Sequence, residues 1–584
     1  MIRARRRRIV TFGVFGPGLV LVVALLTFAG QAGAGDHRTY RTTLPTTYYV
    51  DSKAPCPGSG TVAAPWCNFR AVNSRVFVPG DKILLKHGST FTTRLVLKGS
   101  GTSSRYVTVG SYGSGPVPVI DGKDGSGSVG VELYNESYVQ VQDLAVENAI
   151  TGILINNATN QTGYRFLRLY LSGDVDGIQS PSGSAATTAS NVLVQDVEAA
   201  RNTLGCRYNR CQGAALALGS VSNVIVNRLY SFGNCAATSF NLGAGASNVL
   251  IENSESIGDG ACASVGGVTA NFLDNDTNIT YVNDIVANTP YAAGSVDFSA
   301  IDLEPADGPD RGVNIEDDYI AHNTGPGIEL LDHPAAIADV KISGNVLYDN
   351  GAGPWDPTVY PVLGQIWTDE WIDGFVQSTG SITDNLYYAP AGTGGFERVH
   401  YGANYSAITQ SDNIDVGGPA NVWYAANGFS CTTQGANGWS YQWSTGNSTW
   451  MDFSNCTAVN NLDQEWTTRG TASGFVSNFE ELPSSTPTAW VARSWTAPAS
   501  GQVNIRGRVL MSDPTCRSGV TAEITQSGSS TPIWGPKVIR AGDDVGVATN
   551  LDGVSLVAGG VLHFAVQQDG SSQCRVSWTP SVAG

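Results

Sequence analysis

Asp302 and Glu304 lie one residue apart in the stretch SAIDLEPADGP (299–309), interleaved with the apolar Ile301 and Leu303. That alternation reads as a strand whose apolar side chains face a core while both acids face away. Only 14% of the chain is charged, so aligned like charges stand out. Further acids follow at comparable intervals: Glu329 and Asp332 in GIELLDH, with His333, and Asp369 in QIWTDEW, between Trp367 and Trp371. Hydrolysis of a glycosidic bond needs such a set, one carboxyl as proton donor and another as nucleophile or base. Crowding raises at least one pKa and so supplies an acid that keeps its proton near neutrality. On this reading Asp302, Glu329 and Asp369 form the catalytic set. Asp302 is the nucleophile or base, Glu329 the acid, and Asp369 tunes them. Glu304, Asp332, His333, Trp367, Asn271, Trp371 and Arg311 are the expected substrate-binding groups. Two other readings fit the same residues: a structural or catalytic Ca²⁺ held between neighbouring segments, or a solvated acidic face. Hydrolysis itself requires no cofactor. Six histidines and no CxxC pattern argue against zinc.

Positioning these acids requires a repeat, and one runs through the first two thirds of the chain. Short alternations recur as YVQVQD, NVLVQD, NVIVNR, NVLIEN, NITYVN, GVNIED and DVKISG, with a weaker copy in YRFLRLYL. Their first core residues are Val139, Tyr164, Val192, Val224, Val249, Ile279, Val313 and Val340, at gaps of 25 to 34 residues. An Asn or Asp follows nine or ten residues after each start: Asn148, Asp174, Asn202, Asn234, Asp259, Asn288, Asn323 and Asn350. A second short strand comes next. The pattern predicts a parallel β-solenoid whose coils stack about 4.8 Å apart, with amides laddering at a bend. An irregular sandwich gives no reason for the fixed Asn offset. Aligning the second strands yields an outward column of Leu154, Gln179, Asn241, Thr269, Asp302, Glu329 and Trp367. Longer connections at 288–301 and 350–366 would wall a cleft beside the acids.

The segments YYVDSKAPCPGSGTVAAPWCNFRAVNSRVFVPGDKILLKHGSTF and YVTVGSYGSGPVPVIDG resemble the opening of secreted right-handed parallel β-helix enzymes active on polysaccharides, the pectate-lyase and polygalacturonase-like superfamily. The resemblance covers residues 47–390. It implies that fold and a polysaccharide or oligosaccharide substrate, and leaves hydrolase, lyase and epimerase open. A lyase or epimerase would need a base and a cation beside a uronate, and Arg311 and His333 are the candidates near the acids. A non-catalytic glycan-binding protein is the reading from outside enzymology.

After residue 390 the spacing fails. Trp439, Tyr441, Trp443 and Trp450 fall within twelve residues, followed by short alternating strands that predict a β-sandwich. This segment resembles jelly-roll modules of secreted glycan-degrading enzymes. Its aromatics either pack between sheets or form a sugar platform, and packing is the commoner arrangement. The expected class is therefore all-β. Residues 47–400 form the helix, 401–426 a linker and 427–584 the sandwich.

The first 34 residues, a basic cluster and an apolar run ending in small residues, read as a secretory signal peptide, with an uncleaved anchor as the alternative. Residues 35–46 are expected to be disordered. The net charge of −17 moves to about −22 once the five leader arginines are removed, which disfavours nucleic acid and uronate-rich partners. A secreted monomer with no membrane contact after cleavage is expected. Ten cysteines in that setting suggest disulfides, and neighbour pairing gives Cys56–Cys67, Cys206–Cys211, Cys235–Cys262, Cys431–Cys456 and Cys516–Cys574.

Overall fold

Coils of the predicted solenoid pair in the predicted register. In the computed structural model Val139 aligns with Tyr164, Tyr164 with Val192, Val192 with Val224, Val224 with Val249 and Val249 with Ile279, all in parallel. The structure describes residues 44–584 except 124–127, 181–187, 204–212, 241–244, 261–269, 291–298, 333–334, 352–363, 371–376, 390–393, 399–404, 419–420, 447–448, 459–463, 468–473, 487, 514–515 and 571. The signal peptide and most of the expected disordered segment thus lie outside the described residues. Thr46, placed in that segment, is already tied down: its N–H donates to Asp81 Oδ1 at 2.7 Å.

Two parallel sheets wrap one core. An eleven-stranded sheet runs from Leu95–Leu97 to Gly394–Arg398, and a 23-stranded sheet forms the remaining walls. Inward positions are Val, Ile, Leu and Phe with no solvent exposure, such as Val194, Val226, Ile301 and Leu330. Stacking into a parallel β-helix follows from this alternation, because one coil cannot bury its inner face alone.

Bends are held by residues of two kinds. A left-handed residue turns the chain, as at Asn148, Arg201 and Asn288 with φ of 56°, 56° and 62°. The next residue sends its side chain inward to a neighbouring coil. Asn202 Oδ1 accepts from Asp174 N at 2.9 Å, Asn234 Oδ1 from Asn202 N at 2.8 Å, and Asn350 Oδ1 from Asn323 N at 3.2 Å. Asn148 and Asn288 of the predicted column occupy the turning position instead, one residue earlier. A second ladder, at the bend between the two walls of the large sheet, comprises Asp284, Asp318, Asn345, Asn385 and Asn413.

Parallel pairing continues past residue 400. Ala407–Ser411 and Ile414–Asp415 add to the large sheet, so the helix extends into the stretch read as a linker. Val422–Tyr424 then pairs antiparallel with Ser581–Ala583. Three antiparallel sheets build the C-terminal β-sandwich. Trp439, Tyr441 and Trp495 are each 1% exposed between its sheets, so the first two aromatics of the Trp-rich segment are core and no sugar platform. Cys56–Cys67, Cys431–Cys456 and Cys516–Cys574 are disulfides. Cys235 is disulfide-bonded, and Cys206, Cys211 and Cys262 lie outside the described residues.

Helix and sandwich share one compact unit, residues 45–584. Asp143, Asp196 and Asp317 share a left-handed bend column, with φ of 58°, 55° and 59°. Arg228 in the same column pairs with Asp196 at 2.6 Å and with sandwich Glu480 at 2.7 Å. Arg508 of the sandwich reaches Asp317 at 2.9 Å and Glu316 at 3.1 Å. Tyr319 stacks on Tyr424 at 5.1 Å within a mixed apolar cluster. Removing one partner of a buried ion pair strands the other, at a cost of about 3–5 kcal/mol. Arg228→Met is therefore expected to lower the calorimetric midpoint of the sandwich transition. An unchanged thermogram would refute a holding role for this pair.

Candidate active site

The eleven-stranded sheet brings the acids together. Asp302 lies opposite Glu329, and Glu329 opposite Trp367, on successive rungs. Adjacent rungs are about 4.8 Å apart, and Glu304 sits about 7 Å along the strand from Asp302. Asp302, Glu329 and Trp367 are each 1% exposed, whereas Glu304 is half-buried. The sequence reading put the column on an open face. In the structure its floor is closed to solvent, and Glu304 is its open edge.

The electrostatics centre on that edge. Burial, and then the charge of Asp274, push the Glu304 carboxyl up to about 7. The Glu304 N–H donates to Leu273 O at 3.0 Å, fixing the turn. Behind it the carboxyls serve the backbone. Asp274 Oδ1 accepts from Asp307 N at 2.8 Å, Asp310 Oδ1 from Asp276 N at 2.9 Å, and Asp276 Oδ1 from Ala246 N at 2.6 Å. Burial and the Asp274 charge likewise lift Asp310 to about 7. Among the described residues no three Asp, Glu, His or Cys side chains converge on a point as a metal site would need.

Other expected residues are placed differently. Asn271 aligns with the core residue Ile301 and points inward, where its Oδ1 accepts from Thr238 Oγ1 at 2.8 Å. It supports the coil rather than lining the acid face. The column position on its coil belongs to Phe272, and on the coil before to Ser239. Asn241 and Thr269, assigned there from sequence, lie outside the described residues. The slip arises because these coils differ in loop length, so counting from the first strand misses the pairing by two or three residues. Arg311 belongs to the large sheet, opposite Thr277 and Ala338, and is exposed. Asp369 aligns with Leu331 and Asp332 with Glu370, so Asp369 stands two residues along its strand from the Asp302 column. His333 and Trp371 lie outside the described residues, as do Tyr291, Asp297, Trp355, Asp356 and Tyr360 of the long connections.

One acid escaped the sequence reading. Glu397 aligns with Trp367, on the rung after it. The only signal was GGFER, an alternation too short and too far past the regular repeat to register.

Fold and site together define a right-handed parallel β-helix with a stacked carboxylate column on one sheet and a β-sandwich docked on another. No protein-family model matches the chain, and no curated protein is similar to it. Among solved structures it resembles the GH136 lacto-N-biosidase of Eubacterium ramulus, at 17% identity over 63% of this chain and 67% of that one, with a TM-score of 0.43. It also resembles an alginate lyase from Paenibacillus sp. str. FPU-7, at 16% identity over 63% of this chain and 99% of that one, TM-score 0.39. A third is the catalytic domain of a GH87 α-1,3-glucanase, at 12% identity over 57% and 64%, TM-score 0.33. Those activities belong to those proteins.

Proposed function

We propose that the chain is a glycoside hydrolase acting on a polysaccharide or oligosaccharide, with its reaction on the Asp302 column. The carrying observation is a carboxyl held up to about 7, Glu304, beside two stacked carboxyls on one sheet. Glycosidic cleavage needs one carboxyl that keeps its proton and one that has lost it. Glu304 is the proton donor to the leaving oxygen, the role the sequence reading gave to Glu329. Asp302 is the carboxylate partner. Their separation of about 7 Å along the strand suits an inverting pair, for which about 6.5–9.5 Å is usual. Glu329, one rung from Asp302, completes the acidic column. The closed floor strengthens each of these interactions.

A lyase is less well served. The described strands of this sheet contain no Lys or His and one Arg, Arg398. Three disulfides with both cysteines among the described residues favour an oxidising, extracellular setting for the protein, and we take it to act there as a monomer.

Incubation with a panel of neutral and uronate polysaccharides tests the reading. New reducing ends without unsaturated sugars are expected, and unsaturated uronides would overturn it. The rate should fall as pH rises through about 7, where Glu304 loses its proton. Glu304→Gln should remove that alkaline limb along with most of the activity.

A further inference from the structure

A groove of about 1070 Å³ crosses the large sheet on a wall that carries none of the proposed catalytic residues. It spans seven coils, from the strand Gln161–Ser172 to Val340–Ser343, roughly 29 Å at the spacing of parallel rungs. The sandwich forms its far side through Arg508, Asp544 and Val545, the last 69% exposed. Ligand sites favour such junctions between modules.

Its lining is periodic. Leu193, Ile225 and Leu250 occupy one outward column on successive coils and form a half-buried aliphatic floor. An exposed rail of amides runs beside it. Asn223 Nδ2 donates to Asn191 Oδ1 at 3.4 Å, Asn248 Nδ2 to Asn223 Oδ1 at 3.2 Å, and Asn278 Nδ2 to Asn248 Oδ1 at 3.1 Å. All four turn the chain, with φ of 54° to 56°, so the backbone fixes their direction. Each rung uses one N–H and one lone pair along the rail, which leaves a donor and an acceptor per coil facing out. At the first coil the Arg165 guanidinium lies 4.1 Å over the Tyr106 ring.

We propose that this groove is a second, non-catalytic site for a linear, uncharged polysaccharide lying along the helix axis. An aliphatic floor meets the apolar faces of sugar rings, and an amide pair per coil meets their hydroxyls. The coil spacing is close to the rise per residue of an extended sugar chain, so contacts can repeat in register. A peptide strand is poorly served. The groove lies on a sheet face whose strands already pair on both sides, which leaves no backbone edge for strand addition. Arg168, Lys341 and Arg508 at its ends are paired with Asp143, Glu316 and Asp317, which leaves Arg165, over the Tyr106 ring, as a single cation for an anionic polymer to meet. Choosing sugar over other neutral polymers rests in part on the hydrolase reading of the acid face. The groove would hold an insoluble or long substrate while the column on the other sheet acts.

The test is native electrophoresis of the full chain through gels containing laminarin, galactomannan or xyloglucan. At least one polymer should retard it. Asn223→Gly with Asn248→Gly removes two amides and suits their φ, so the fold is kept. This variant should lose at least tenfold in apparent affinity, as should Ile225→Glu. Glu304→Gln should be retarded like the parent. The inference is overturned if no polymer retards the chain, or if the double variant is retarded as the parent is. Hydrolysis without retardation would remove the groove and leave the hydrolase reading. Retardation that depends on Asn223 and Asn248, in a chain with no hydrolytic activity, would keep the groove and remove that reading.

Discussion

Replacing both Asp284 and Asp318 by Asn is expected to raise the thermal stability of the protein at pH 8 and to flatten its decline from acid to neutral pH. These residues are rungs of the second bend ladder. Asp284 Oδ1 accepts from Ser254 N at 2.6 Å and Asp318 Oδ1 from Asp284 N at 2.8 Å. The next rungs are Asn345, Asn385 and Asn413, whose amides also donate to backbone carbonyls, at 2.8, 3.1 and 2.9 Å. Asn therefore fits the rung. The aspartates have no such proton when ionised, and the second oxygen of each is buried without a hydrogen bond. Burial first pushes both well above the ordinary range, and the Asp284 charge adds to the effect at Asp318.

The sign follows from proton binding. A carboxyl whose folded-state pKa exceeds its unfolded value binds more protons when folded, so stability falls as pH rises between the two values. Each unit of difference costs about 1.4 kcal/mol once pH exceeds both. Burial shifts several other carboxyls the same way: Asp259 to about 6 and Glu255 to about 7, while Glu481 rises to about 8 despite its bond to Arg493. The parent should accordingly melt highest in mildly acidic buffer. Scanning calorimetry from pH 4.5 to 8.5 checks both statements. A double variant that melts below the parent at pH 8, with the parental slope, would show that the ladder tolerates the charges.

Asp302→Asn is expected to cut turnover by about 10³-fold, within the span of general acid–base contributions, while raising the melting temperature. The pairing of effects is the diagnostic. An aspartate whose charge serves a partner, as Asp196 serves Arg228, loses stability when neutralised. Asp302 is held 1% exposed one rung from Glu329, and burial disfavours a charge at such a place, so a neutral side chain there should add stability while removing chemistry. Asp307, exposed on the turn beyond Glu304, supplies the control, since Asp307→Asn should change neither quantity beyond error. Parental turnover in both Asp302→Asn and Glu304→Gln would remove the site from this sheet.

The coil repeat was legible in sequence because it is a local property. Alternation at Val192, Val194, Val224 and Val226 and the following Asn need only a few residues each, and stacking requires that such positions coincide. The Cys56–Cys67 pair and the buried Trp439 and Tyr441 were legible for the same reason, since short spacing confines geometry. The juxtaposition of Asp302 with Glu329 came through because the two coils between Ile301 and Ile366 keep their register.

What the tertiary structure decided was everything that depends on connections of unequal length. Asn271 turned inward and Phe272 took its place in the column, because the coil's second strand starts at a point no repeat count supplies. Glu397 fell into register with Trp367 from beyond the regular spacing. Asp196 and Asp317 of the bend column became part of the seat of a module almost 300 residues away for the first and almost 200 for the second. The amides of NVLVQD, NVIVNR and NVLIEN read as strand openings until stacking aligned them into a rail. Side-chain alternation is written into each segment, whereas register, burial and docking arise from contacts between distant segments, and only the folded chain brings those together.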